Sequence, residues 1–416
     1  MLTQLENEVI RCIKCGACQS VCPIYKELKT EASVARGKLN LIKAAMKGDV
    51  ELTDSFVERM SWCLLCKACI ENCPSGVKVD ALIVGARREL AEQKGLPFLK
   101  KMVFRMALKN PRVFNIGLSM GSVLQKLLFR PAPKGEGMLP RLPMGLDKRR
   151  MLSPIARNSF RSRHPEIIKV SGAKGTAAFF TGCMINYIYP QVGDAVVKLL
   201  TRNKFNVIIP AGQHCCGTPA YTSGDVDTAV ELSKAVVDTF AGLKVDAVVT
   251  ACGSCGLALT KDYAEILKDL SKYQEKALDL STKIYDITKF LSNIGFGQEG
   301  AVEELPKKVT YHESCHLTRG LGIKGEPRQL IRTVPGVQLV EMKNPGRCCG
   351  CAGSFSLSHY DLTMKINKYK VSDIVSTNAA ILVTGCPACM MQIKDGLVQE
   401  GRKIQVMHTA ELLALS

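Results

Sequence analysis

Apolar side chains recur at helical spacing through most of the first hundred residues. One such stretch covers residues 34–46, and a second stripe over residues 79–90 ends before Gly95. Between these two stretches, Ser55 and Glu58 fit a capping box at the start of a further helix. The pattern therefore predicts that the beginning of the chain is helical.

Helical spacing continues over residues 98–128, but the composition of the stretch changes. An apolar side that begins at Phe98 is opposed by lysines and arginines, and an apolar run over residues 113–128 follows. The uncharged part of this run, residues 113–125, is too short to cross a bilayer. A basic amphipathic pattern fits a helix lying in a membrane interface, and it also fits a helical arm packed on protein. The proline-rich residues 131–165 predict an extended linker.

The second half of the chain alternates strand-like and helical stretches, in two copies. The strand-like runs cover residues 176–180, 206–209 and 247–250 in the first copy, and 308–312, 337–340 and 380–384 in the second. Continuous apolar strands that alternate with helices predict parallel sheets that are covered by helices on both faces.

Composition and charge narrow the class of protein. The 416 residues are 46% hydrophobic and 23% charged, which excludes overall disorder and fits about three globular domains. The first residues include acids and do not resemble a secretory signal, so we expect a cytoplasmic protein.

The positive charge is concentrated in one segment. Residues 94–169 carry 17 lysines and arginines against three acids, which is most of the formal net charge of +18. Such a segment favours an anionic surface, either lipid headgroups or an acidic partner protein. The segment contains no recognisable nucleic-acid-binding module, so we expect no nucleic-acid partner. We expect the protein to lie peripherally at the inner face of the cell membrane.

Nineteen cysteines in a reducing compartment favour metal ligation over disulfides. Eight of them lie between residues 12 and 73, none between 74 and 182, and eleven between 183 and 389. The cysteines therefore form two blocks, separated by the basic segment.

The first block contains the run C-x2-C-x2-C-x3-C twice, each time followed by proline. This spacing is typical of two [4Fe–4S] cubanes, in which the fourth cysteine of each run binds the other cluster. The X-Pro step moves that cysteine away from its own run because it disfavours helix. We therefore assign Cys12, Cys15, Cys18 and Cys73 to cluster one, and Cys63, Cys66, Cys69 and Cys22 to cluster two. Zinc is the alternative, but zinc sites typically use paired C-x2-C units.

The second block is an internal repeat with three landmarks in each copy. They are Cys183, Cys215-Cys216-Gly217 and Cys252-x2-Cys255 in the first copy, and Cys315, Cys348-Cys349-Gly350 and Cys386-x2-Cys389 in the second. The offsets between the copies are 132, 133 and 134 residues, which is hard to obtain by chance.

Every cysteine group of the repeat follows a predicted strand. Ligands bind at the carboxyl ends of strands in open α/β sheets, and the helix that follows favours thiolate there. Each copy offers five thiolates, which is more than the four ligand positions of an ordinary cubane or of a zinc ion. A non-standard cluster with a bridging thiolate is therefore favoured over zinc.

These residues carry a family resemblance. The repeats resemble the cysteine-rich domains of heterodisulfide reductase. In tandem behind a two-cluster helical ferredoxin, they look like the iron–sulfur subunits of glycolate oxidase and anaerobic glycerol-3-phosphate dehydrogenase, and like fused heterodisulfide reductase. Residues 11–23, 63–77 and 312–316 carry the likeness, and the basic connector is not covered by it.

The resemblance implies the ligands of two non-cubane [4Fe–4S] clusters. They are Cys183, Cys215, Cys216, Cys252 and Cys255 for one, and Cys315, Cys348, Cys349, Cys386 and Cys389 for the other. In addition to the two cubanes, we expect one or two such clusters. Zinc in one of the two copies stays an alternative. The additional Cys351 is interpreted as a small buried residue, although a role as ligand or redox thiol is the alternative.

The fold class expected is α+β multidomain, with an α-helical ferredoxin before tandem α/β cysteine-rich domains that contain parallel sheets. The predicted domains are 1–95 (ferredoxin), 96–170 (basic amphipathic connector), 171–300 (first cysteine-rich domain) and 301–416 (second cysteine-rich domain).

The resemblance implies electron transfer rather than chemistry at a substrate. We expect an iron–sulfur protein that takes electrons from a flavoprotein dehydrogenase of a 2-hydroxyacid or of glycerol-3-phosphate to a membrane quinone or another acceptor. The alternative is a catalytic component like that of heterodisulfide reductase, with a cytochrome b partner, which splits a disulfide at its non-cubane clusters. No nucleotide fingerprint and no nucleophile–base pair is found, so no catalytic residue is assigned.

A few residues near the cysteines have open roles. His214, His312, His316 and His359 can donate hydrogen bonds to sulfur, or they can serve in packing or at the surface. Trp62, beside Cys63, is expected to pack over a cluster.

Overall fold

The computed structural model describes residues 5–132, 137–142, 145–296 and 307–415. It confirms the predicted fold class, because a helical first part precedes two α/β repeats. The helices of the first part are α1 (Glu6–Ile10), α2 (Ala17–Val21), α3 (Pro23–Leu28), α4 (Ala35–Lys47), α5 (Asp54–Ser61), α6 (Ala68–Glu71) and α7 (Val79–Lys94). A 3₁₀ turn, Glu31–Ser33, lies between α3 and α4.

The helices α4, α5 and α7 pack around one apolar core. The stripe predicted for residues 79–90 is confirmed, since Leu82, Ile83, Ala86 and Leu90 are buried in that core. The predicted capping box is wrong. Helix α5 is capped by Thr53, whose hydroxyl accepts a hydrogen bond from the backbone N–H of Phe56, and Ser55 lies inside the helix.

The connector is more ordered than the sequence predicts. It contains α8 (Phe98–Met102), a π-helical segment (Val103–Leu108), α9 (Pro111–Leu128), β1 (Phe129–Pro131), β2 (Met138–Pro140) and α10 (Phe160–Arg163). The predicted extended linker over residues 131–165 is therefore only partly right. β1 and β2 pair as an antiparallel hairpin, and Arg150 is fully buried against the second repeat.

The first repeat contains β3 (Ile167–Ile168), β4 (Gly175–Phe180), α11 (Gly182–Tyr187), α12 (Pro190–Arg202), β5 (Phe205–Ile208), α13 (Thr218–Thr222), α14 (Val226–Phe240), β6 (Ala247–Thr250), α15 (Gly253–Leu257), α16 (Tyr263–Ile266), α17 (Ser271–Thr282), β7 (Ile284–Asp286) and α18 (Ile287–Asn293). Its strands lie in the order β3-β5-β4-β6-β7. The prediction of a parallel sheet is right for β4–β7, whereas β3 runs antiparallel at the edge.

The second repeat has the same topology without the extra edge strand. It contains β8 (Lys307–His312), α19 (Glu326–Thr333), β9 (Val337–Leu339), α20 (Phe355–Ser358), α21 (Tyr360–Val375), β10 (Ile381–Thr384), α22 (Pro387–Gln399), β11 (Gln405–His408) and α23 (Thr409–Leu413). Its sheet is parallel throughout, in the order β9-β8-β10-β11. The strands β7 and β11, which the sequence analysis missed, complete matching four-strand sheets.

The two repeats share one continuous hydrophobic core. It includes Phe179 and Val249 of the first sheet, Tyr311 and Val383 of the second, and Phe104 of the connector. The predicted domain boundary at residue 300 lies outside the described residues. Within the described ranges, no helix combines the length and the apolar composition that a bilayer crossing requires.

Candidate metal centres

The second cysteine run surrounds a cavity of about 500 Å³, and Cys22 of the first run completes the ring. Cys63, Cys66, Cys69 and Cys22 all line this cavity. Cys22 has an extended backbone, and Pro23 starts α3 directly after it. The structure thus places the fourth cysteine of the first run with the three cysteines of the second.

The reciprocal arrangement lies next to it. Cys12, Cys15 and Cys18 line a cavity of about 400 Å³ together with Cys73 from the second run. Cys69 lines both cavities, so the two sites are immediate neighbours.

The same unusual turn wraps the beginning of both runs. Lys14 and Gly16 on either side of Cys15 have φ of 58° and 82°, and Leu65 and Lys67 on either side of Cys66 have φ of 52° and 60°. Left-handed backbone costs a non-glycine residue roughly 1–2 kcal/mol. Such turns form concave surfaces of N–H groups that bind anions, which fits a negatively charged, sulfur-rich group.

Two buried cations beside the second run were missed in the sequence. Lys38 lines the larger cavity and donates to the carbonyl of Ser33. Arg87 donates to the carbonyl oxygens of Met60 and Cys63 at 2.9 and 2.7 Å. Burial lowers the pKa of both side chains, so each is held in place at an electrostatic cost. The sequence contained a signal for these two cations, because Lys38 and Arg87 each lie on the apolar face of a predicted helix.

The five cysteines of the first repeat form a continuous series of side-chain contacts. In order of contact they are Cys183, Cys215, Cys216, Cys255 and Cys252. The loops that carry them follow β4, β5 and β6, as predicted, and Cys252 occupies the N-cap position of α15. Because β5 and β6 lie on opposite sides of β4, these loops meet at the switch in strand order, where α/β sheets bind ligands.

The second repeat brings four of its five predicted cysteines into a similar series. Their order is Cys348, Cys349, Cys389 and Cys386, and the sulfurs of Cys349 and Cys389 lie 3.5 Å apart. Cys315 is close enough to Cys349 and Cys386 for their charges to raise its pKa, although burial is the largest cause.

Two further contacts join these groups. Cys252 of the first repeat is close enough to Cys386 of the second to shift its pKa, and Cys348 of the second repeat is close enough to Cys66 of the ferredoxin part to do the same. A hydrogen bond from Cys348 lowers the pKa of Cys66 to about 6. A series of neighbouring sulfurs therefore runs from the ferredoxin part through the second repeat to the first.

Several thiols in the series favour the charged form. Hydrogen bonds from neighbouring thiols lower the pKa of Cys216, Cys349 and Cys386 well below the ordinary value, although burial opposes the shift. For Cys386, the backbone N–H groups at the start of α22 lower the pKa further. Their neighbours Cys215, Cys255 and Cys389 stay protonated, because the adjacent thiolates and burial raise their pKa well above the ordinary value. A bound cation would be needed for all of these sulfurs to be thiolates at once.

The candidate accessory residues divide into two groups. Three of the predicted histidines bind oxygen. His214 pairs with the Gly212 carbonyl, His316 with Ser254 and His359 with Ser61, each at 3.0 Å. His312 instead lies within 4.8 Å of the sulfurs of Cys349 and Cys389.

Trp62 and Cys351 do not line either ferredoxin cavity. Trp62 packs in an apolar contact between the ferredoxin part and the second repeat, beside Cys22 and Cys348. Cys351 is buried near Arg150, and burial raises its pKa to about 12, which fits its interpretation as a buried thiol.

The chemistry of the cysteine ligands by itself fits iron–sulfur clusters. All nineteen cysteines are free of disulfides, and eighteen of them gather in four groups. Clusters of Cys thiolates in partly buried pockets with amide donors are the usual surroundings of iron–sulfide cages.

Comparison with known families finds matches to three segments of the chain. Residues 8–77 match the 4Fe-4S dicluster domain, and residues 177–260 and 309–394 match the Cysteine-rich domain. Both domain types support iron–sulfur clusters.

Similar proteins cover most of the chain. The probable glycolate oxidase iron-sulfur subunit of Bacillus subtilis is 33% identical, over 98% of this chain and 94% of that protein. One of the subunits of the fumarate reductase (CoM/CoB) of Methanothermobacter marburgensis is 28% identical, over 97% and 72%. Lactate utilization protein A of Geobacillus thermodenitrificans is 37% identical, over 57% of this chain and 97% of that protein. A hypothetical protein from Helicobacter pylori has the same overall fold, with a TM-score of 0.52, 8% identity and coverage of 99% and 72%.

Proposed function

The chain belongs to the family of glycolate oxidase iron–sulfur subunits, and we propose that it carries electrons away from a flavoprotein dehydrogenase. The substrate of that partner would be a 2-hydroxyacid such as glycolate or lactate, or glycerol-3-phosphate. The relatives named for glycolate oxidase and for lactate utilization support the hydroxyacid. The single observation that carries the proposal is the series of neighbouring sulfurs that joins the ferredoxin part to both repeats.

We infer that the two ferredoxin cavities hold [4Fe–4S] cubanes with crossed ligation. Cys12, Cys15, Cys18 and Cys73 would bind one, and Cys63, Cys66, Cys69 and Cys22 the other, in agreement with the lining of the cavities. The five cysteines of each repeat would bind a non-cubane cluster. When bound, such clusters accept and release single electrons.

The contacts place the groups in an order that differs from the order along the chain. Cys66 neighbours Cys348 of the second repeat, and Cys252 of the first repeat neighbours Cys386 of the second. The second repeat therefore lies between the other two groups in this series of sulfurs. The ferredoxin part also packs on the first repeat, where Arg87 donates to the carbonyl of Thr222 at 2.8 Å. Arg319 supports the first junction, because it donates to the Cys66 carbonyl at 3.2 Å and pairs with Glu71 at 3.0 Å.

The cysteines of the first repeat, at the end of the series of sulfurs, lie against the connector. A cavity of about 320 Å³ is lined by Cys183 and Cys215 of the first repeat and by Leu108 and Phe114 of the connector. Helix α9, which carries Phe114, has almost none of its side chains buried, and Ser122 is the buried one among its described residues. The connector thus contacts the cysteines of the first repeat and carries an unusual exposed surface of its own.

We propose that this surface rests on the cell membrane. Ile116, Met120, Val123 and Leu127 are 62, 59, 71 and 72% exposed and follow one another at helical spacing. Residues 98–128 include six lysines and arginines and no acid. An apolar stripe with basic flanks matches the interface of an anionic bilayer. A membrane quinone is then the acceptor that fits best.

The alternative function, reductive cleavage of a disulfide, is less well supported. A disulfide would have to reach the sulfurs where the two repeats meet. Cys252 and Cys386 are only 5 and 3% exposed there. The proposed function therefore remains electron transfer.

The test uses the full chain isolated without oxygen. We expect coloured protein with iron and acid-labile sulfide, and colourless, sulfide-poor protein would overturn the proposal. Two matched variants then test the order of the groups, Cys389→Ser in the second repeat and Cys255→Ser in the first.

After a brief photochemical reduction, freeze-quench EPR follows how electrons redistribute. Cys389→Ser should stop exchange between the ferredoxin clusters and the first repeat. Cys255→Ser should leave exchange between the ferredoxin clusters and the second repeat unchanged. The reverse pattern would contradict the order.

A further inference from the structure

The second repeat contains a buried imidazole without a hydrogen-bond partner. His312 is 1% exposed, and neither of its ring nitrogens has a partner among the described residues. Leaving a buried polar group unpaired is unfavourable, so such groups are rare in folded proteins. The position of His312 therefore needs an explanation.

The other histidines of the chain have oxygen or backbone partners. His164 pairs with Asp194, and His408 accepts from the backbone N–H of Ala410 at one ring nitrogen. The remaining three bind the oxygens already described. Of the six histidines, His312 alone has both ring nitrogens buried and unpaired.

The nearest candidates for a partner are sulfur atoms. A ring nitrogen of His312 and the sulfurs of Cys349 and Cys389 all lie within 4.8 Å of one another. A neutral imidazole carries one N–H, and a thiolate is a good acceptor for it. Five cysteines are already available as ligands in this repeat, so the imidazole is not needed to complete the donor set.

The first repeat lacks this imidazole at the equivalent position. His312 ends β8 and pairs in register with Thr384 of β10, whereas Phe180 ends β4 and pairs in register with Thr250 of β6. The phenyl ring of Phe180 packs against Phe240, with ring centroids 5.6 Å apart. Phenylalanine has no N–H to donate. The first repeat instead places the hydroxyl of Thr218 3.2 Å from the sulfur of Cys216, the counterpart of Cys349, so the two centres differ in the kind of group beside this sulfur.

We propose that His312 donates a hydrogen bond to the thiolate of Cys349 and makes the centre of the second repeat easier to reduce than it would be without this imidazole. This inference rests on the proposed iron–sulfur clusters. A hydrogen bond to a ligand sulfur stabilises the extra negative charge of the reduced state and so raises the reduction potential. His312 is thus a positioning and tuning residue, which does not itself bind metal.

The experiment is an EPR-monitored redox titration of the anaerobically isolated full chain. His312→Phe installs the residue of the first repeat. It should lower the potential of one centre by about 59 mV, which corresponds to a tenfold change in a one-electron equilibrium. That signal is assigned to the second repeat by its loss in Cys389→Ser. His214→Phe, a histidine beside Cys215, is the control and should leave this potential unchanged.

Two further measurements keep the outcomes distinct. Pulsed EPR of protein with ¹⁵N-labelled histidine should show a weak nitrogen coupling at the second centre, and it remains informative if His312→Phe fails to load its cluster. His312→Gln, which retains an N–H donor, should recover part of the shift. An unchanged potential, or the strong coupling of a directly bound nitrogen, would overturn the inference. Absence of iron and sulfide in the unmodified protein would instead refute the proposed function.

Discussion

The apolar face of α9 gives the most direct quantitative prediction. Fully burying an aliphatic side chain of this size is worth about 1.5–3 kcal/mol. Ile116, Met120, Val123 and Leu127 are between 59 and 72% exposed, so each has about 1 kcal/mol or more to gain when the face is covered. Replacing all four by serine should weaken binding to a bilayer by about 4 kcal/mol, which is roughly a thousandfold.

The assay is sedimentation of the full chain with vesicles of phosphatidylcholine, with and without phosphatidylglycerol. The unmodified chain should bind the anionic vesicles, and salt should weaken that binding. A matched variant that replaces Lys101 and Lys126 by glutamine should lose about 1 kcal/mol per charge at low salt, while retaining the apolar contribution.

The folded state provides the internal control. Since the four side chains are exposed, the serine variant should unfold at the same temperature as the unmodified protein. Equal vesicle binding by both proteins would refute the membrane surface. Loss of flavoprotein binding with unchanged vesicle binding would assign the face to the partner instead.

Three other predictions concern the cysteines and two buried ionic groups. Cys22→Ser should remove the EPR signal of the cluster held by the second run, and loss of the first run's signal alone would contradict the crossed ligation. Arg150→Met leaves Asp395 buried without its partner and should cost about 3–5 kcal/mol in urea unfolding. Adding Asp395→Leu should restore much of that loss. Burial raises the pKa of Asp262 to about 7, well above about 3.9 in the unfolded chain. The folded protein therefore holds a proton that the unfolded chain releases. Stability should fall as the pH rises from about 4 to about 7, and Asp262→Asn should flatten this dependence in thermal unfolding.

The parts of the fold that could be predicted are those set by local pattern. The apolar strands β6 and β10 and the buried stripe of α7 follow from the spacing of their side chains. The cysteine landmarks of the repeat predicted that both copies have one topology. In the structure, the loops that carry these cysteines follow matching strands in the two sheets. The crossed arrangement of the ferredoxin cysteines stays a prediction of the motif, and the lining of the two cavities supports it.

The parts that could not be predicted depend on contacts between distant residues. Arg150 lies in a basic, proline-rich stretch that is typical of a surface, yet its guanidinium binds Gln392 at 2.7 Å and Asp395 at 3.2 Å. The strands β7 and β11 have only three and four residues and mix polar with apolar side chains, so no pattern marks them. The contact between Cys66 and Cys348 spans most of the chain and leaves no local trace.

The connector explains how the groups of cysteines come to lie out of chain order. Its first part packs on the first repeat, where Phe104 and Leu108 join the shared core and Lys109 pairs with Glu231 at 2.6 Å. Its later part returns to the second repeat, where Arg150 is buried. The connector thus ties both repeats together before the first one begins. The ferredoxin part contacts both repeats, through Arg87 and Thr222 in the first and through Ser61 and His359 in the second.

The connector also lies at the point where the series of neighbouring sulfurs ends. Because the inner side of the connector covers Cys183 and Cys215, its outer, apolar side lies next to the last group in the series of sulfurs. An acceptor dissolved in the membrane would then meet the end of the series and not its middle. As sequence, the connector fits a membrane interface or a packed arm. In the proposed arrangement, its inner side packs on the first repeat and its outer side meets the membrane.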